Sequence, residues 1–249
     1  MLLGLDHIVI AVLDPDAAAA ELEQRVGLAC TGGGRHPLWG TYNRLAWFGD
    51  TYAELIGVFD RTLTGHGPIS RAVMAALDAG RGGFVTYAVA TDDAAGDRAR
   101  LCAAGAGLGE VEARSRTRPD GEIVRWRAAF PPALGPDRPP FIVEHELVGA
   151  EWGAEVRAAR AGAAHPIGGA VRVARLRLSV GRVHAAATAY RRELGITFTG
   201  DPPVATIGEQ RVSLRRGDPL LDPAEVELAN TTGRPREVDA LGVRWRIIG

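Results

Sequence analysis

Leu5-Asp6-His7-Ile8-Val9-Ile10-Ala11-Val12, followed at once by Asp14-Pro15-Asp16, is the stretch that decides the fold. Six of its first eight residues are apolar, which reads as a buried strand, and the acid-proline-acid triplet supplies an N-cap and an N1 proline for a helix. That helix carries Ala18, Leu22 and Val26 on one stripe and stops at Gly27. The same order of signals returns twice. A strand over residues 84–90 leads through Asp92 and Asp93 into an Ala-rich helix ending at Gly105, and a strand from Val171 leads through Gly181 into a helix ending at Gly195. The terminating glycines are 78 and 90 positions apart, so the chain is read as a repeat. After each helix come further strands, and the last of each set carries a glutamate among apolar residues: Glu54, Glu144 and Glu227.

Each unit therefore reads β-α-β-β-β, and the fold class expected is α+β with repeated βαβββ modules. Two modules, at about residues 4–62 and 83–148, are expected to pair within 1–150 and enclose a cleft. Residues 151–170, rich in Gly and Ala, read as a linker, and 171–249 as a third βαβββ-like module that caps the pair or makes a contact in a homodimer.

Composition narrows the partners. The formal charge is −1 with 29 basic and 30 acidic side chains among 249 residues, which excludes a global basic field for nucleic acid. Every basic residue is Arg, so no lysine is available for Schiff-base chemistry. Cys30 and Cys102 stand far apart and read as free thiols of a reducing compartment. The start shows no basic n-region, and no apolar run approaches the ~18 residues of a membrane span. A soluble cytoplasmic protein with a small-molecule ligand is expected, with neither nucleic acid nor membrane as partner.

A histidine on the opening strand and a glutamate on the closing strand of such a module resemble the vicinal oxygen chelate superfamily, which includes glyoxalase I, extradiol dioxygenases and bleomycin-resistance proteins. Local motifs sharpen the likeness to its glyoxalase-like branch. They are the opening strand around His7, then Gly34-Arg35-His36-Pro37-Leu38-Trp39-Gly40-Thr41-Tyr42-Asn43, then Tyr52-Ala53-Glu54-Leu55-Ile56. Arg118-Pro119-Asp120-Gly121 with Trp126, Phe141-Ile142-Val143-Glu144 and His165-Pro166 add to it, so that the likeness covers about residues 4–170.

The resemblance implies a divalent ion (Zn, Mn, Fe, Ni or Mg) held by His7, Glu54 and Glu144, with a fourth position near residues 84–86 that offers no strong ligand. Such an open site polarises two vicinal oxygens and stabilises an enediolate-like anion. Read without the resemblance, His7 beside Asp6 is equally a hydrogen-bonded core histidine, and Glu54 a partner for Arg44. His145 and Glu146 compete with Glu144, because one residue of register exchanges strand faces.

His36, in a glycine-rich loop, is a candidate acid/base group or fourth ligand, or simply an exposed loop residue. Trp39, Thr41, Asn43 and Trp126 are candidate substrate contacts, with Trp39 equally a core residue. Arg118 opens what reads as a β-turn, and it or Arg125 is the candidate contact for an anionic group. In the third unit the apolar face changes sides between Val173 and Arg175, which reads as a bulge at Ala174 or as an anion pocket.

Three functions follow from this reading. One is a metal-dependent lyase, isomerase or dioxygenase acting on a small oxygenated molecule, with His36 or a free carboxylate moving a proton. Another is a non-catalytic protein that sequesters a drug or aromatic compound. The third is a structural or regulatory partner in an oligomer, held through the third module.

Overall fold

In the computed structural model, residues 1–161, 165–232 and 234–249 are described. The opening stretch folds as read. Strand β1 (Leu2–Ala11) feeds helix α1 (Pro15–Val26), whose N-cap Asp14 accepts from the Asp16 and Ala17 amides and whose C-cap is Gly27 in the left-handed region. Strands β2 (Gly32–His36), β3 (Thr41–Phe48) and β4 (Thr51–Val58) complete the first module. The second runs β5 (Gly83–Thr91), α3 (Ala94–Ala103), β6 (Glu112–Thr117), β7 (Ile123–Ala129) and β8 (Phe141–His145). Between the modules lies α2 (Pro68–Asp78), a helix in the stretch that the expected bounds 4–62 and 83–148 leave outside both modules.

The eight strands close into a barrel of order β1-β4-β3-β2-β6-β7-β8-β5. Each opening strand runs parallel to its own closing strand, β1 with β4 and β5 with β8, and the two opening strands pair antiparallel. Closure on the other side falls to β2 and β6, which meet at Arg35 and Thr117. The glycine run makes that approach possible: a Cβ on Gly34 would lie 2.3 Å from the Thr117 carbonyl oxygen. The stretch expected as a glycine-rich loop is therefore a strand at the seam of the barrel.

The C-terminal residues form a second, six-stranded sheet, built from β9 (Val171–Val180), α5 (Val183–Leu194), β10 (Val204–Ile207), β11 (Gln210–Arg216), β12 (Ala224–Asn230), β13 (Arg236–Ala240) and β14 (Val243–Ile248). Its order, β10-β11-β9-β12-β14-β13, is that of the barrel strands β3-β4-β1-β5-β8-β7, with no strand among the described residues in the places of β2 and β6. Without those seam strands the sheet stays open.

A single third βαβββ module does not describe this sheet, because β12 lies antiparallel beside β9 instead of parallel to it. Glu227 thus stands on the opening strand of a fourth, shortened unit and not on a closing strand. The bulge at Ala174 is present: Glu227 pairs with Arg175 and Leu228 with Val173, so Ala174 has no partner and the strand changes face there.

One apolar cluster runs through both sheets, from Ile8, Ile10, Leu22 and Val26 to Leu176, Val212, Val226 and Trp245, all at most 0% exposed. A second, with Val9, Ala11, Ile56, Val73 and Phe141, packs the barrel interior against α2. Side chains of β1 alternate between them, which leaves His7 on the interior side with Val9 and Ala11.

The stretch expected as a linker carries α4 (Ala154–Ala161), with 162–164 outside the described residues. Trp152 packs edge-on against Trp47, Arg160 lies 3.6 Å over the Trp47 ring, and His165 bridges the Ala29 amide and the Trp47 carbonyl. It is a strap fastened to the barrel. Cys30 and Cys102 are free thiols. Among the described residues no helix is long and apolar enough to cross a membrane.

Candidate functional site

The cleft is the barrel interior, and its floor begins with an irregularity in β1. Leu5 pairs with Val89 and His7 with Ala88, so Asp6 is an extra residue without a partner on β5. The bulge brings Asp6 and His7 into contact where simple alternation would part them. One Asp6 carboxylate oxygen lies 2.5 Å from His7 Nδ1 and 3.1 Å from His145 Nε2. Burial opposes charge on Asp6, but the charge and hydrogen bonds of His145 and His7 outweigh it and hold the carboxyl well below the usual carboxylate range. An ionised carboxylate has no hydrogen to give, so His7 donates from Nδ1 and its Nε2 faces the cavity.

Nε2 of His7 is 3.8 Å from Glu54 Oε2, while Glu54 Oε1 accepts from Asn43 Nδ2 at 2.6 Å. Asn43 Oδ1 is buried and has no hydrogen-bond partner among the described residues. His7 is fixed further by stacking on Tyr52, with ring centres 4.8 Å apart, and by the edge of Phe141 at 5.4 Å.

His36, the last residue of β2, is buried with its Nδ1 3.0 Å from Thr41 Oγ1 and its ring beside Trp126 and Trp39. Burial, reinforced by the positive charges of Arg116 and Arg114, pushes its pKa down to about 3, so this imidazole is neutral at physiological pH.

On β6, Arg114 and Arg116 point inward. Arg116 is spent on Glu151, at 2.8 and 2.9 Å, and on the Gly33 carbonyl. Arg114 pairs with Glu112 and lies 4.4 Å over the Trp39 ring. Gly67, Ile69 and Ser70, at the start of α2, roof the cavity. Space for the centre of a water-sized sphere amounts to about 60 Å³, several times the ~10–15 Å³ that holds one water.

Eight of the residues singled out in sequence line this one cavity: His7, Glu54, His36, Trp39, Thr41, Asn43, Trp126 and His145. Arg44 pairs with Asp16 and leaves Glu54 to Asn43. Two candidates lie elsewhere. Arg118 belongs to the β6–β7 turn, where Gly121 N bonds its carbonyl and Asp120 its guanidinium. Glu144 accepts from the Ala94 amide at the N-terminus of α3.

Register explains Glu144. Helix caps Asp14 and Asp93 are equivalent, which makes Thr86 the counterpart of His7 and Ala88 that of Val9. Val9 pairs with Glu54 and Ala88 with Phe141, so the counterpart of Glu54 is Phe141. Glu144 is three residues further on, an odd step, and faces away, whereas His145 is four on and faces in.

The residues therefore do not fit an ion held at the four positions of the superfamily, since Thr86 and Phe141 fill two of them. Among the described residues no three His, Cys, Asp or Glu side chains are arranged to hold a metal. Asp6, Arg114, Arg116, Tyr52 and Phe141 were not singled out in sequence. The arginines were legible as inward charges at i and i+2 of one strand; the bulge at Asp6 left no signal.

A closed barrel of paired βαβββ modules with its donors inside defines a vicinal oxygen chelate protein. Residues 5–199 match the glyoxalase-like domain family, and the chain belongs to that family. No curated protein matches it. A hypothetical protein from Staphylococcus aureus shares the fold over 98% of both chains, with a TM-score of 0.79 at 13% identity. Methylmalonyl-CoA epimerase from Streptomyces coelicolor, in complex with 2-nitronate-propionyl-CoA, aligns over 60% of this chain and 99% of its own, with a TM-score of 0.44 at 19% identity. The Mycobacterium tuberculosis epimerase aligns over 57% and 88%, with a TM-score of 0.42 at 20% identity.

Proposed function

We propose that this chain is an enzyme that moves a proton on a small oxygenated organic molecule, as an isomerase or lyase, with His7 as the base. The observation that carries this reading is the Asp6–His7 pair, with Nδ1 held at 2.5 Å and Nε2 open to the cavity beside Glu54.

His7 Nε2 takes the proton from an acidic carbon or hydroxyl of the ligand, and the bond electrons move onto the ligand's carbonyl oxygen. The Asp6 carboxylate stabilises the imidazolium that forms. His36 is suited to the oxygen: where Thr41 donates to Nδ1, Nε2 carries the hydrogen and a neutral imidazole faces the developing negative charge. His7 then returns the proton to a different atom in an isomerisation, or to the leaving group in an elimination. No step passes through a metal ion.

Deuterium exchange tests this. Pyruvate and other enolisable oxo acids incubated in D2O with the protein, followed by 1H NMR, are expected to lose C–H signal faster than in buffer. His7→Gln is expected to remove about 10²-fold or more of that acceleration. A second reading, a sequestering protein, is favoured by the rings of Trp39, Trp126, Phe130 and Phe141 around the cavity. Saturable binding without exchange in any compound would select it.

A further inference from the structure

The polar groups of the cleft are unevenly distributed across the barrel. Strand β6 stands four places from β1 in either direction around the eight-stranded ring, so Arg114 lies on the wall opposite His7. The His7 side offers acceptors: His7 Nε2, Glu54 Oε2 and the unpartnered Asn43 Oδ1. The Arg114 side offers a donor. Arg114 is 8% exposed, one Nη is tied to Glu112, and its Nε is buried with no partner among the described residues. A buried N–H left unpaired is costly, so a ligand oxygen there satisfies an existing demand.

We infer that the ligand of this cleft is a small, flat, unsaturated carboxylate, its carboxylate oxygen on Arg114 Nε and its proton-bearing end toward His7 and Glu54. The second half of this orientation rests on the proton-transfer reading above; the first half does not. Of the two inward cations, Arg116 is held by both carboxylate oxygens of Glu151 and by the Gly33 carbonyl, whereas Arg114 keeps an Nε without a partner among the described residues. The partner of Arg114 is half exposed to water, which leaves the guanidinium charge weakly countered on the cavity side. Flatness follows from the walls. The guanidinium sits 4.4 Å from the Trp39 ring centre and 5.2 Å from that of Phe130, and Phe130 and Phe141 stack at 4.9 Å. A ligand reaching Arg114 Nε passes between aromatic faces that favour a planar body.

Benzoate and its neutral isostere benzamide are the probes, titrated into the full-length protein while Trp fluorescence is followed, since Trp39 and Trp126 line the cavity. Benzoate is expected to bind at least tenfold more tightly than benzamide. Arg114→Met is expected to weaken benzoate at least tenfold and leave benzamide unchanged, with Arg114→Lys intermediate because an ammonium lacks the planar fork. Arg118→Gln, outside the cavity, is expected to keep the preference.

Equal binding of the two probes by the wild-type protein, binding of neither, or a preference that survives in Arg114→Met overturns the inference. The wild-type comparison decides even if the Arg114 variants fail to fold. His7→Gln is expected to lose exchange while keeping benzoate affinity. Lost carboxylate preference with intact exchange therefore defeats this inference alone, and intact preference without exchange defeats the proton-transfer reading alone.

Discussion

Two imidazoles on one carboxylate make Asp6 the centre of the cleft's chemistry. Asp6→Asn preserves shape but presents an amide that can donate to His7 Nδ1, and the wrong tautomer then faces the cavity; exchange measured by 1H NMR is expected to drop on the order of 10²–10⁴-fold. His36 makes a separate prediction about stability. Its folded pKa is about 3, against an ordinary value of 6.5, so below pH 6.5 the unfolded chain binds a proton that the folded chain does not. Stability is therefore fully present above pH 6.5 and is lost as pH falls toward 3, by about 1.4 kcal/mol per pH unit from this residue. Urea unfolding between pH 7 and 4 is expected to show that slope, reduced in His36→Gln; an unchanged slope counts against the buried neutral imidazole. His36 was legible as a candidate from its motif, but its burial was not, because the glycines beside it look like a loop until the seam with β6 is seen.

Elements explain which carboxylate matters. Glu144 sits at the N-terminus of α3 together with the cap residue Asp93, so Glu144→Ala is expected to cost about 1 kcal/mol in chemical denaturation and to leave benzoate binding unchanged. Loss of binding in that variant contradicts its placement. Phe141 and Thr86 at the two remaining superfamily positions predict that dialysis against a chelator leaves the fluorescence titration unaltered; binding restored only by added divalent ion contradicts this.

Strands, caps and stripes were readable in sequence because they depend on neighbours a few residues apart: Asp14, Pro15 and Gly27 bound α1 as expected. Register was not readable. Equating Glu144 with Glu54 by motif misses by three residues, since the pairing of β5 with β8 is set by contacts across the barrel. Helix α2 left a weak signal, Pro68 at its first position, in a stretch with glycines at both ends.

The molecule as a whole is one core under two sheets. Arg25 donates to the Asp239 carbonyl at 2.6 Å, Gly107 N to Glu193 at 2.7 Å, and Leu5 N to Gln210 at 3.2 Å, all from the barrel half to the C-terminal half. Removing 171–249 uncovers the side of Ile8, Ile10 and Val26 that packs in the shared cluster. The truncated chain is expected to lose its cooperative thermal transition; a sharp transition and normal benzoate binding would show that the barrel stands alone.

The C-terminal sheet repeats the barrel's register without its chemistry. Strand pairing places Arg175, Ser213, Glu225 and Arg246 where His7, Glu54, Thr86 and Phe141 stand in the barrel. Its repeat was visible in the spacing of glycines, whereas the missing seam strands, which separate an open sheet from a closed cleft, were not.

Deuterium exchange into pyruvate, run side by side with the wild-type protein and with His7→Gln, Glu54→Gln and Glu144→Gln, tests whether His7 is the base of this cleft. Acceleration is expected with the wild-type protein, with a loss of about 10²-fold or more in the first two variants and no loss in the third. Exchange untouched by His7→Gln, or a Glu144→Gln variant as impaired as Glu54→Gln, would contradict it.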